Sequence, residues 1–225
     1  MKIIGHRGAA GLAPENTLAA IKAGIKDGAD AVEFDVRLTK DRHFVLMHDP
    51  TLLRIAGNNT PVSELTLAQL QSTITLSGEP IPTLSEALKV CQNITAVIEA
   101  KGIDWAEALT EALKMHPPSG KIAVISFQPA ELSKFKASSP DTPCYIVERL
   151  NAFRAIRFAH TEGFSGVNFN FWIINPFSYW YARLNKLEIL AYTVDRPLYL
   201  RYFKTFYPRV AITTNFPGRI KKLIS

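Results

Sequence analysis

The chain is organised around the stretch Val32-Glu33-Phe34-Asp35-Val36. β-Branched and aromatic residues alternate there with two carboxylates, a pattern typical of a β-strand. Side chains two residues apart on a strand point to the same face, so Glu33 and Asp35 are expected side by side. Adjacent carboxylates repel each other, and burying both without a cation costs several kcal/mol. The stretch therefore predicts a positive charge between them.

A second strand pattern at residues 96–101, Ala-Val-Ile-Glu-Ala-Lys, adds a third carboxylate, Glu99, and a cation, Lys101. Together with Glu33 and Asp35 this is the donor set of a divalent metal site, with a lysine for an anionic substrate. Carboxylate oxygens are hard ligands, so Mg or Ca is the expected ion. Two strand-end ion pairs are the alternative interpretation.

Strand and helix patterns alternate along almost the whole chain, which is typical of an α/β fold. Eight strands are expected, centred on Ile3, Glu33, Ile98, Val124, Ile146, Val167, Leu190 and Ile212. Eight parallel strands with helices between them form a TIM (β/α)8 barrel, and 225 residues is a normal length for one such domain. An open doubly wound sheet is the alternative, but no glycine-rich dinucleotide loop follows the first strand.

The alternation lapses between roughly residues 44 and 82. The lapse begins with an additional extended run after strand two, and it contains a turn cluster, Gly57-Asn58-Asn59-Thr60-Pro61. The segment is too short to be expected to hold a core of its own. We therefore expect a small insertion after strand two, within a single domain that spans residues 1–225.

The composition favours a small anionic partner. The net charge is +6 and the isoelectric point is near 9.3, but the basic residues are scattered and no recognition helix is evident, which argues against nucleic acid. No apolar run approaches the roughly 20 residues of a membrane span, so no stable membrane insertion is expected. Two cysteines without CxxC spacing and an N-terminus unlike a signal peptide predict a cytoplasmic protein. No feature of the sequence indicates an oligomeric state.

Unusual polar residues follow the predicted strands. His6 and Arg7 end strand one, and His48 ends the additional extended run. The carboxyl ends of barrel strands carry the active site, so these side chains are expected to meet the three carboxylates. An imidazole titrates near neutral pH, which lets His6 and His48 act as general base and general acid. Metal ligation by the two histidines is the alternative, and the hard carboxylates nearby disfavour it.

A set of short motifs covers nearly the whole chain: Gly5-His6-Arg7-Gly8, Ala13-Pro14-Glu15-Asn16-Thr17, Glu33-Phe34-Asp35, His48-Asp49-Pro50-Thr51-Leu52, Ile81-Pro82-Thr83-Leu84-Ser85-Glu86, Glu99-Ala100-Lys101, Ser126-Phe127 and Ala191-Tyr192-Thr193-Val194. In this order the motifs resemble the glycerophosphodiester phosphodiesterase family. Each motif alone is weakly informative, whereas the ordered set is highly specific.

The resemblance implies a metal-dependent TIM barrel that hydrolyses glycerophosphodiesters to sn-glycerol 3-phosphate and an alcohol. It implies three groups of site residues: metal ligands Glu33, Asp35 and Glu99; an acid–base pair, His6 and His48; and substrate-binding Arg7, Lys101, Glu15 and Asn16, of which Arg7 and Lys101 hold the phosphate. It also implies attack by the glycerol 2-hydroxyl through a cyclic phosphate. Direct attack by water remains open, as does the preferred alcohol group.

Two positions depart from the family's pattern. Strand eight ends in Thr214-Asn215, where the family usually has Thr-Asp, and Asp195 stands where the family often has Asn. An exchange of a carboxylate and an amide at one rim either preserves the local charge or marks altered substrate contacts. We expect neither position to belong to the core catalytic set.

Two rival functions remain. Related barrels use the same ligands on acylated substrates, so a lysophospholipase D-like activity is the alternative within the enzymes, and a hydrophobic surface beside the site would favour it. A non-catalytic barrel that binds a phosphometabolite is the alternative outside them. The intact set of histidines and carboxylates argues against a non-catalytic barrel.

The stretch of residues 164–181 is rich in aromatic side chains. Val167 and Phe169 are expected in the core, and the helical spacing predicts that Phe177, Trp180 and Tyr181 face the barrel. Phe171 and Trp172 are expected in the loop after strand six, on the rim of the active site. An exposed ring at this position can bind a quaternary ammonium group, so Trp172 is a candidate for holding the alcohol end of choline-type substrates.

Overall fold

A computed structural model of the chain describes residues 1–223. The strands are β1 (Ile3–Gly5), β2 (Ala31–Leu38), β3 (Phe44–Leu46), β4 (Thr95–Ala100), β5 (Ile122–Ser126), β6 (Cys144–Glu148), β7 (Gly166–Asn170), β8 (Glu188–Tyr192) and β9 (Ala211–Thr214). The helices are α1 (Leu18–Lys26), α2 (Leu53–Ala56), α3 (Leu67–Gln71), α4 (Leu84–Val90), α5 (Trp105–Met115), α6 (Pro129–Ser138), α7 (Ala152–Thr161), α8 (Pro176–Leu184), α9 (Pro197–Phe206) and α10 (Pro217–Lys221). Short 3-10 turns lie at Val62–Glu64 and Phe171–Ile173.

Eight of the strands form a closed parallel barrel. Their order is β1-β9-β8-β7-β6-β5-β4-β2, and pairing of β1 with β2 closes the ring. The ninth strand, β3, pairs antiparallel with the C-terminal end of β2. The TIM barrel predicted from the sequence is therefore confirmed, with one strand added outside the ring.

Alternation along β2 explains how the barrel carries charge in its interior. Val32, Phe34 and Val36 are fully buried in the cluster that packs the strands against the helices. Ala31 belongs instead to the cluster that fills the barrel. Side chains alternate between the two faces of a strand, so Glu33 and Asp35 point, like Ala31, into the barrel.

The additional segment between β3 and α4 packs on a small apolar cluster of its own. Its buried members are Val45, Met47, Leu52, Val62, Leu70 and Ile81. The expectation that this segment is too short to hold a core is therefore wrong at this scale. The cluster forms because β3 and the loop before α4 contribute residues on either side of α2 and α3.

Two helices differ from what their local sequence suggests. Asp104 precedes α5 with a left-handed backbone (φ 57°), and its side chain makes no capping hydrogen bond. The Ala106 N–H at the start of α5 instead donates to Glu131 Oε2 of α6 at 3.0 Å. The Glu131 carboxylate, from a neighbouring helix, therefore pairs with an N–H of the first turn of α5 that has no acceptor within its own helix. The local sequence around Asp104 does not reveal this contact.

The second is α8, where Phe177 and Trp180 were expected to face the barrel. Both are exposed, Tyr181 is only half-buried, and the buried side chains of α8 are Ser178, Tyr179 and Ala182. Both sets have helical spacing, so periodicity alone does not choose between them. The small side chains of Ser178 and Ala182 let α8 pack closely on the barrel beside the ring of Tyr179. No helix within residues 1–223 is long and apolar enough to cross a membrane.

Candidate active site

The loop after β1 brings Arg7 to the carboxylates. Gly8 has φ +87°, and a Cβ there would lie 2.5 Å from the Ala20 backbone, so only glycine fits this turn against α1. The turn aims the Arg7 N–H at Glu33 Oε2, at 2.9 Å. The motif Gly-His-Arg-Gly is thus a tight connection that points a backbone donor and a guanidinium into the barrel mouth.

Three carboxylates meet inside this mouth. Glu33, Asp35 and Glu99 each offer an oxygen, and these oxygens lie within 4.8 Å of one another. Glu33 and Asp35 are 3% and 1% exposed. The register of β2 with β4 pairs Asp35 with Glu99, which explains why carboxylates 64 residues apart in the chain share one site.

Two cations border the carboxylates. Lys101 Nζ lies 3.1 Å from Asp35 Oδ1 and also donates a hydrogen bond to Glu99 Oε1. Arg7 Nε lies 3.4 Å from Asp35 Oδ2. Asp35 is therefore neutralised from both sides, whereas the only hydrogen bond to the Glu33 side chain from the described part of the chain comes from the Arg7 N–H.

Glu15 and Asn16 extend the network outward. Asn16 Nδ2 donates to Asp35 Oδ2 at 2.9 Å, and the Asp35 N–H donates to Asn16 Oδ1 at 3.0 Å. Glu15 Oε1 accepts from Arg7 Nη1 at 2.7 Å. Asn16 thus orients Asp35, and Glu15 orients Arg7.

The electrostatics differ among the three carboxylates. Burial raises the pKa of Glu33 well above its ordinary value, and the charges of Asp35 and Glu99 add to the rise. Burial and the charge of Asp35 likewise raise the pKa of Glu99. Burial alone would raise the pKa of Asp35, but the charges of Lys101 and Arg7 outweigh it and lower that pKa. Proximity of like charges is thus only partly relieved by the cations.

The donor set fits a hard divalent cation. Glu33 Oε1 is buried and has no hydrogen-bond partner within residues 1–223, although buried polar atoms are almost always paired. Carboxylate oxygens are the ligands that Mg²⁺ and Ca²⁺ prefer. The cluster can therefore hold such an ion, and a bound ion would compensate the charge that Arg7 and Lys101 leave unbalanced.

His6 is held by a chain of polar side chains from the last strands. His6 Nδ1 lies 2.8 Å from Asn215 Oδ1, and Asn215 Nδ2 donates to Asp195 Oδ2 at 2.6 Å. Because the amide nitrogen donates to the carboxylate, its oxygen faces His6, and Nδ1 must carry the proton. Nε2 of the neutral ring is then the free acceptor. Burial lowers the pKa of His6, which favours this neutral form.

His48 is held by charges instead. His48 Nδ1 lies 2.6 Å from Asp49 Oδ1, and Asp49 Oδ2 accepts from Arg54 Nε at 2.6 Å. Arg54 also donates to Glu15 at 2.7 Å, which connects His48 to the Arg7 network. Burial lowers the pKa of His48, while the charge of Asp35 and the hydrogen bond to Asp49 oppose this shift.

Trp172 lies in a separate aromatic cluster on the 3-10 turn after β7. Its ring centroid is 4.5 Å from that of Phe171 and 5.2 Å from that of Tyr199. Trp172 is 68% exposed, as expected for a residue of the rim loop. On the opposite side of the mouth, a cleft of about 210 Å³ adjoins His48 and is lined by Glu15, Asn16, Arg54, Ile55 and Leu76 among others.

Comparisons with known proteins agree with this geometry. The model of the glycerophosphoryl diester phosphodiesterase family matches residues 6–219. The chain belongs to this family. It is 30% identical over 211 residues to the glycerophosphodiester phosphodiesterase of Caldanaerobacter subterraneus, covering 86% of each chain. It is 36% identical over 162 residues to human glycerophosphodiester phosphodiesterase 1, covering 65% of this chain and 48% of the human one.

Solved structures share the fold. The phosphodiesterase of Oleispira antarctica, solved in complex with the product sn-glycerol-3-phosphate, superposes with a TM-score of 0.92 at 24% identity, covering 100% of this chain and 96% of the other. A glycerophosphodiester phosphodiesterase from Parabacteroides distasonis gives 0.82 at 25% identity, covering 99% and 96%. The family resemblance and the enzyme class expected from the sequence are therefore confirmed.

The family's motifs account for most, but not all, of the residues at this site. The structure brings together the predicted residues His6, Arg7, Glu15, Asn16, Glu33, Asp35, Glu99 and Lys101, and it links His48 to them through Asp49 and Arg54. Trp172 does not join this network. Sequence reasoning gave no role to Asp49 and Arg54, although Asp49 lies within a quoted motif.

The two departures from the family's pattern touch each other. Asp195 Oδ1 also accepts from the Asn215 N–H at 2.8 Å and from Thr214 Oγ1 at 2.8 Å. The carboxylate and the amide are thus exchanged within one hydrogen-bonded pair, and the local charge is preserved. Asn215 contacts His6 directly, and the expectation that neither position belongs to the core catalytic set stays a prediction.

Proposed function

We propose that this chain hydrolyses glycerophosphodiesters to sn-glycerol 3-phosphate and an alcohol, with the help of a divalent metal and two histidines. The observation that carries the proposal is the buried set Glu33, Asp35 and Glu99 at the barrel mouth, bordered by Arg7 and Lys101. A phosphodiester carries one negative charge, and the positive groups favour its binding here. The product found in the Oleispira antarctica neighbour supports the same substrate class.

In this proposal Glu33, Asp35 and Glu99 hold Mg or Ca, for which the unpartnered Glu33 oxygen is the direct support. When bound, such an ion polarises a phosphoryl oxygen and stabilises the charge that develops on it. Arg7 and Lys101 bind the remaining phosphoryl oxygens. Glu15 and Asn16 position Arg7 and Asp35 and contact the glycerol end of the substrate.

The two histidines take complementary roles. His6 accepts a proton at Nε2 from the attacking oxygen, because Asn215 keeps the proton of the neutral ring on Nδ1. His48 donates a proton to the departing alkoxide, because Asp49 holds its Nδ1 and, together with the charge of Asp35, opposes the lowering of its pKa by burial. The attacking oxygen is a water molecule, which gives sn-glycerol 3-phosphate directly, or the glycerol 2-hydroxyl, which gives a cyclic phosphate that a water molecule then opens. The same base serves either attack.

Release of sn-glycerol 3-phosphate from glycerophosphocholine, with and without EDTA, tests this function. We expect turnover that EDTA abolishes and that Mg or Ca restores. A matched pair of variants separates the network from the bulk surface: Asp35→Asn should lose turnover, and Asp141→Asn, on an exposed loop, should retain it. Tight binding of sn-glycerol 3-phosphate without any turnover would instead identify a non-catalytic binding barrel.

A second activity has a specific observation in its favour. The rings of Phe171, Trp172 and Tyr199 form an apolar surface on the active-site rim, at centroid distances of 4.5 to 5.2 Å. Such a surface suits an acyl chain, so a lysophospholipase D-like hydrolysis of lysophosphatidylcholine is the alternative. A comparison of kcat/KM for lysophosphatidylcholine and glycerophosphocholine decides between the two substrates.

We further propose that residues 1–225 function as one domain, with the insertion at roughly residues 44–82, in the cytoplasm. The buried, unpaired thiols Cys91 and Cys144 support a reducing compartment. Limited proteolysis that releases a stable fragment smaller than the barrel would contradict the single domain. Recovery of the protein from an extracytoplasmic fraction of expressing cells would contradict the location.

A further inference from the structure

The outer surfaces of α8 and α9 are unusually apolar. Barrel helices normally present polar side chains outward, since the opposite face packs on the strands. Here six large apolar side chains are exposed, and we call them the aromatic face: Phe177, Trp180 and Leu184 on α8, and Leu198, Tyr202 and Phe206 on α9. Exposed apolar patches of this kind usually mark a binding surface.

Ring contacts connect Trp180 of α8 to Tyr202 and Phe206 of α9 through the buried Tyr179 and Tyr207. On each helix the exposed apolar side chains recur every three or four residues, so they lie on a single side of that helix. The two helices follow the neighbouring strands β7 and β8, and Tyr179 of α8 packs against Tyr207 after α9 with a ring separation of 5.0 Å. The surface begins at the active-site rim, where Phe177 and Leu198 open their helices.

The charges around the aromatic face have one sign. Residues 176–209 contain six basic side chains, Arg183, Lys186, Arg196, Arg201, Lys204 and Arg209, and two acidic ones, Glu188 and Asp195. Glu188, exposed at the start of β8, accepts a hydrogen bond from Tyr145, and Asp195 accepts from Asn215, so each carboxylate has a partner on the barrel. Within residues 1–223, none of the six basic side chains lies within 4.0 Å of a carboxylate.

We propose that the aromatic face docks the protein on the surface of a lipid bilayer rich in anionic phospholipids. Aromatic rings prefer the interface between headgroups and acyl chains, and flanking lysines and arginines bind anionic headgroups. A second copy of the chain is a poor occupant. A two-fold contact would bring the basic residues of α9 against their own copies with no carboxylate to pair them.

The docked orientation follows from where the face lies. α8 and α9 form one side of the barrel, so the protein lies on the bilayer by its side, with the active-site mouth at the edge of the contact. Binding needs no membrane-spanning segment, since the rings enter only the interfacial layer. The inference goes beyond the proposed hydrolysis and does not depend on it.

Vesicle binding tests the proposal with the intact chain. We expect sedimentation with vesicles of phosphatidylcholine and phosphatidylglycerol, little with phosphatidylcholine alone, and weaker binding at high salt. The double variant Phe177→Gln, Trp180→Gln should weaken vesicle binding about tenfold or more, and Arg201→Gln, Lys204→Gln severalfold. Ile74→Gln, which removes an equally exposed apolar side chain from the insertion, is the matched control and should bind as the wild type does.

Two further measurements distinguish the outcomes. Hydrolysis of glycerophosphocholine in solution should be unchanged in the docking variants, so a failure of the docking proposal and a failure of the hydrolysis proposal are read separately. In a Trp172→Phe background, tryptophan emission should shift to the blue on vesicle binding, since Trp180 is exposed and Trp105 is fully buried. Absence of binding to anionic vesicles, equal binding by the Phe177/Trp180 variant, a dimer in light scattering that this variant dissolves, or binding to DNA in place of vesicles would each overturn the proposal.

Discussion

The two halves of the barrel differ in the side chains that they bury and expose: the first half buries charged side chains, and the second half exposes aromatic ones. In the first half, Glu33 and Asp35 are almost wholly buried, and the partly buried Lys101 contacts Asp35. In the second half, Phe177 and Trp180 are 78% and 63% exposed. Burying charge is costly even when it is paired, whereas an exposed ring forgoes only its own burial. The buried charges of the first half therefore suit catalysis and lower the stability of the fold. The exposed rings of the second half leave an apolar surface available for binding.

The largest effect is expected from Glu33→Gln, which breaks the charged half directly. An amide is a poor ligand for a hard cation, and loss of Lewis-acid stabilisation worth several kcal/mol predicts a rate loss of about a thousandfold or more. Release of sn-glycerol 3-phosphate at saturating metal measures it. Full activity of the variant, or of chelator-treated wild type, would remove the metal from the mechanism.

The same variant should be more stable than the wild type in EDTA. Burial raises the pKa of Glu33, so the metal-free fold loses stability as the pH rises from the ordinary pKa of a glutamate to the raised folded-state pKa, and this penalty is complete above the latter. Gln carries no charge and avoids that penalty at neutral pH. Urea unfolding midpoints in EDTA and in Mg test this prediction. An equal or lower midpoint for the variant in EDTA would mean that Arg7 and Lys101 already balance the cluster.

The next effect distinguishes the two histidines. His48→Ala should lower kcat/KM for glycerophosphocholine about a hundredfold or more, by the usual size of an acid–base contribution. The loss should be much smaller for the 4-nitrophenyl diester of glycerol phosphate, because nitrophenolate leaves without a proton. His6→Ala should lower both rates alike, since a base is needed for either substrate. The reverse pattern would exchange the two roles, and near wild-type rates would make that histidine structural.

A smaller effect is expected from the exchange Asp195→Asn, Asn215→Asp, which restores the family's usual order. Burial lowers the pKa of His6 in the wild type, so the neutral base persists below pH 6.5 and the acid limb of kcat/KM lies below that value. A carboxylate at residue 215 would stabilise the imidazolium and raise the pKa of His6. The acid limb should then move to higher pH, with kcat/KM at pH 8 little changed.

NMR titration of the His6 ring measures its pKa directly. If residue 215 only supported the fold, this pKa would not change in the exchanged protein. The single variant Asn215→Ala serves as the control, since it removes the acceptor without adding charge. An unchanged His6 pKa in the exchanged protein would mean that residue 215 does not govern the imidazole.

The sequence predicts the strand-end charges of the site but not its long-range contacts. Strand ends with unusual charge, such as Glu33 and Lys101, are readable because the period of a strand fixes the face of each side chain and the barrel fixes the rim. The contact of His6 with Asn215 spans 209 residues, and closure of the ring between β1 and β9 creates it. Local patterns do not contain that information.

The orientation of α8 was missed for a different reason. Phe177-Trp180-Leu184 and Ser178-Tyr179-Ala182 have equivalent helical spacing, and hydrophobicity favours the wrong face. Ser178 and Ala182 face inward because small side chains let the helix lie close to the strands, and Tyr179 fills the space beside them. Apolar periodicity predicts burial only when every apolar side chain packs in the core. On α8, a second apolar set, Phe177, Trp180 and Leu184, lies on the exposed side of the helix.

The smallest predicted effect concerns Trp172, where the two halves of the molecule meet at one rim. Its exposed ring, packed against Phe171 and Tyr199, can bind a quaternary ammonium with a strength of about 1 kcal/mol, which corresponds to a severalfold change in KM. Trp172→Ala should therefore raise KM for glycerophosphocholine severalfold more than KM for glycerophosphoglycerol, with kcat little changed. Tyr199→Leu, which removes a supporting ring of the cluster and leaves Trp172 in place, is the control and should have a smaller effect on that ratio. Equal effects of Trp172→Ala on the two substrates would mean that the ring packs against its neighbours and does not recognise the alcohol. The cleft beside His48, lined by Glu15 and Arg54, would then be the better candidate for the leaving group, because it adjoins the proposed acid directly.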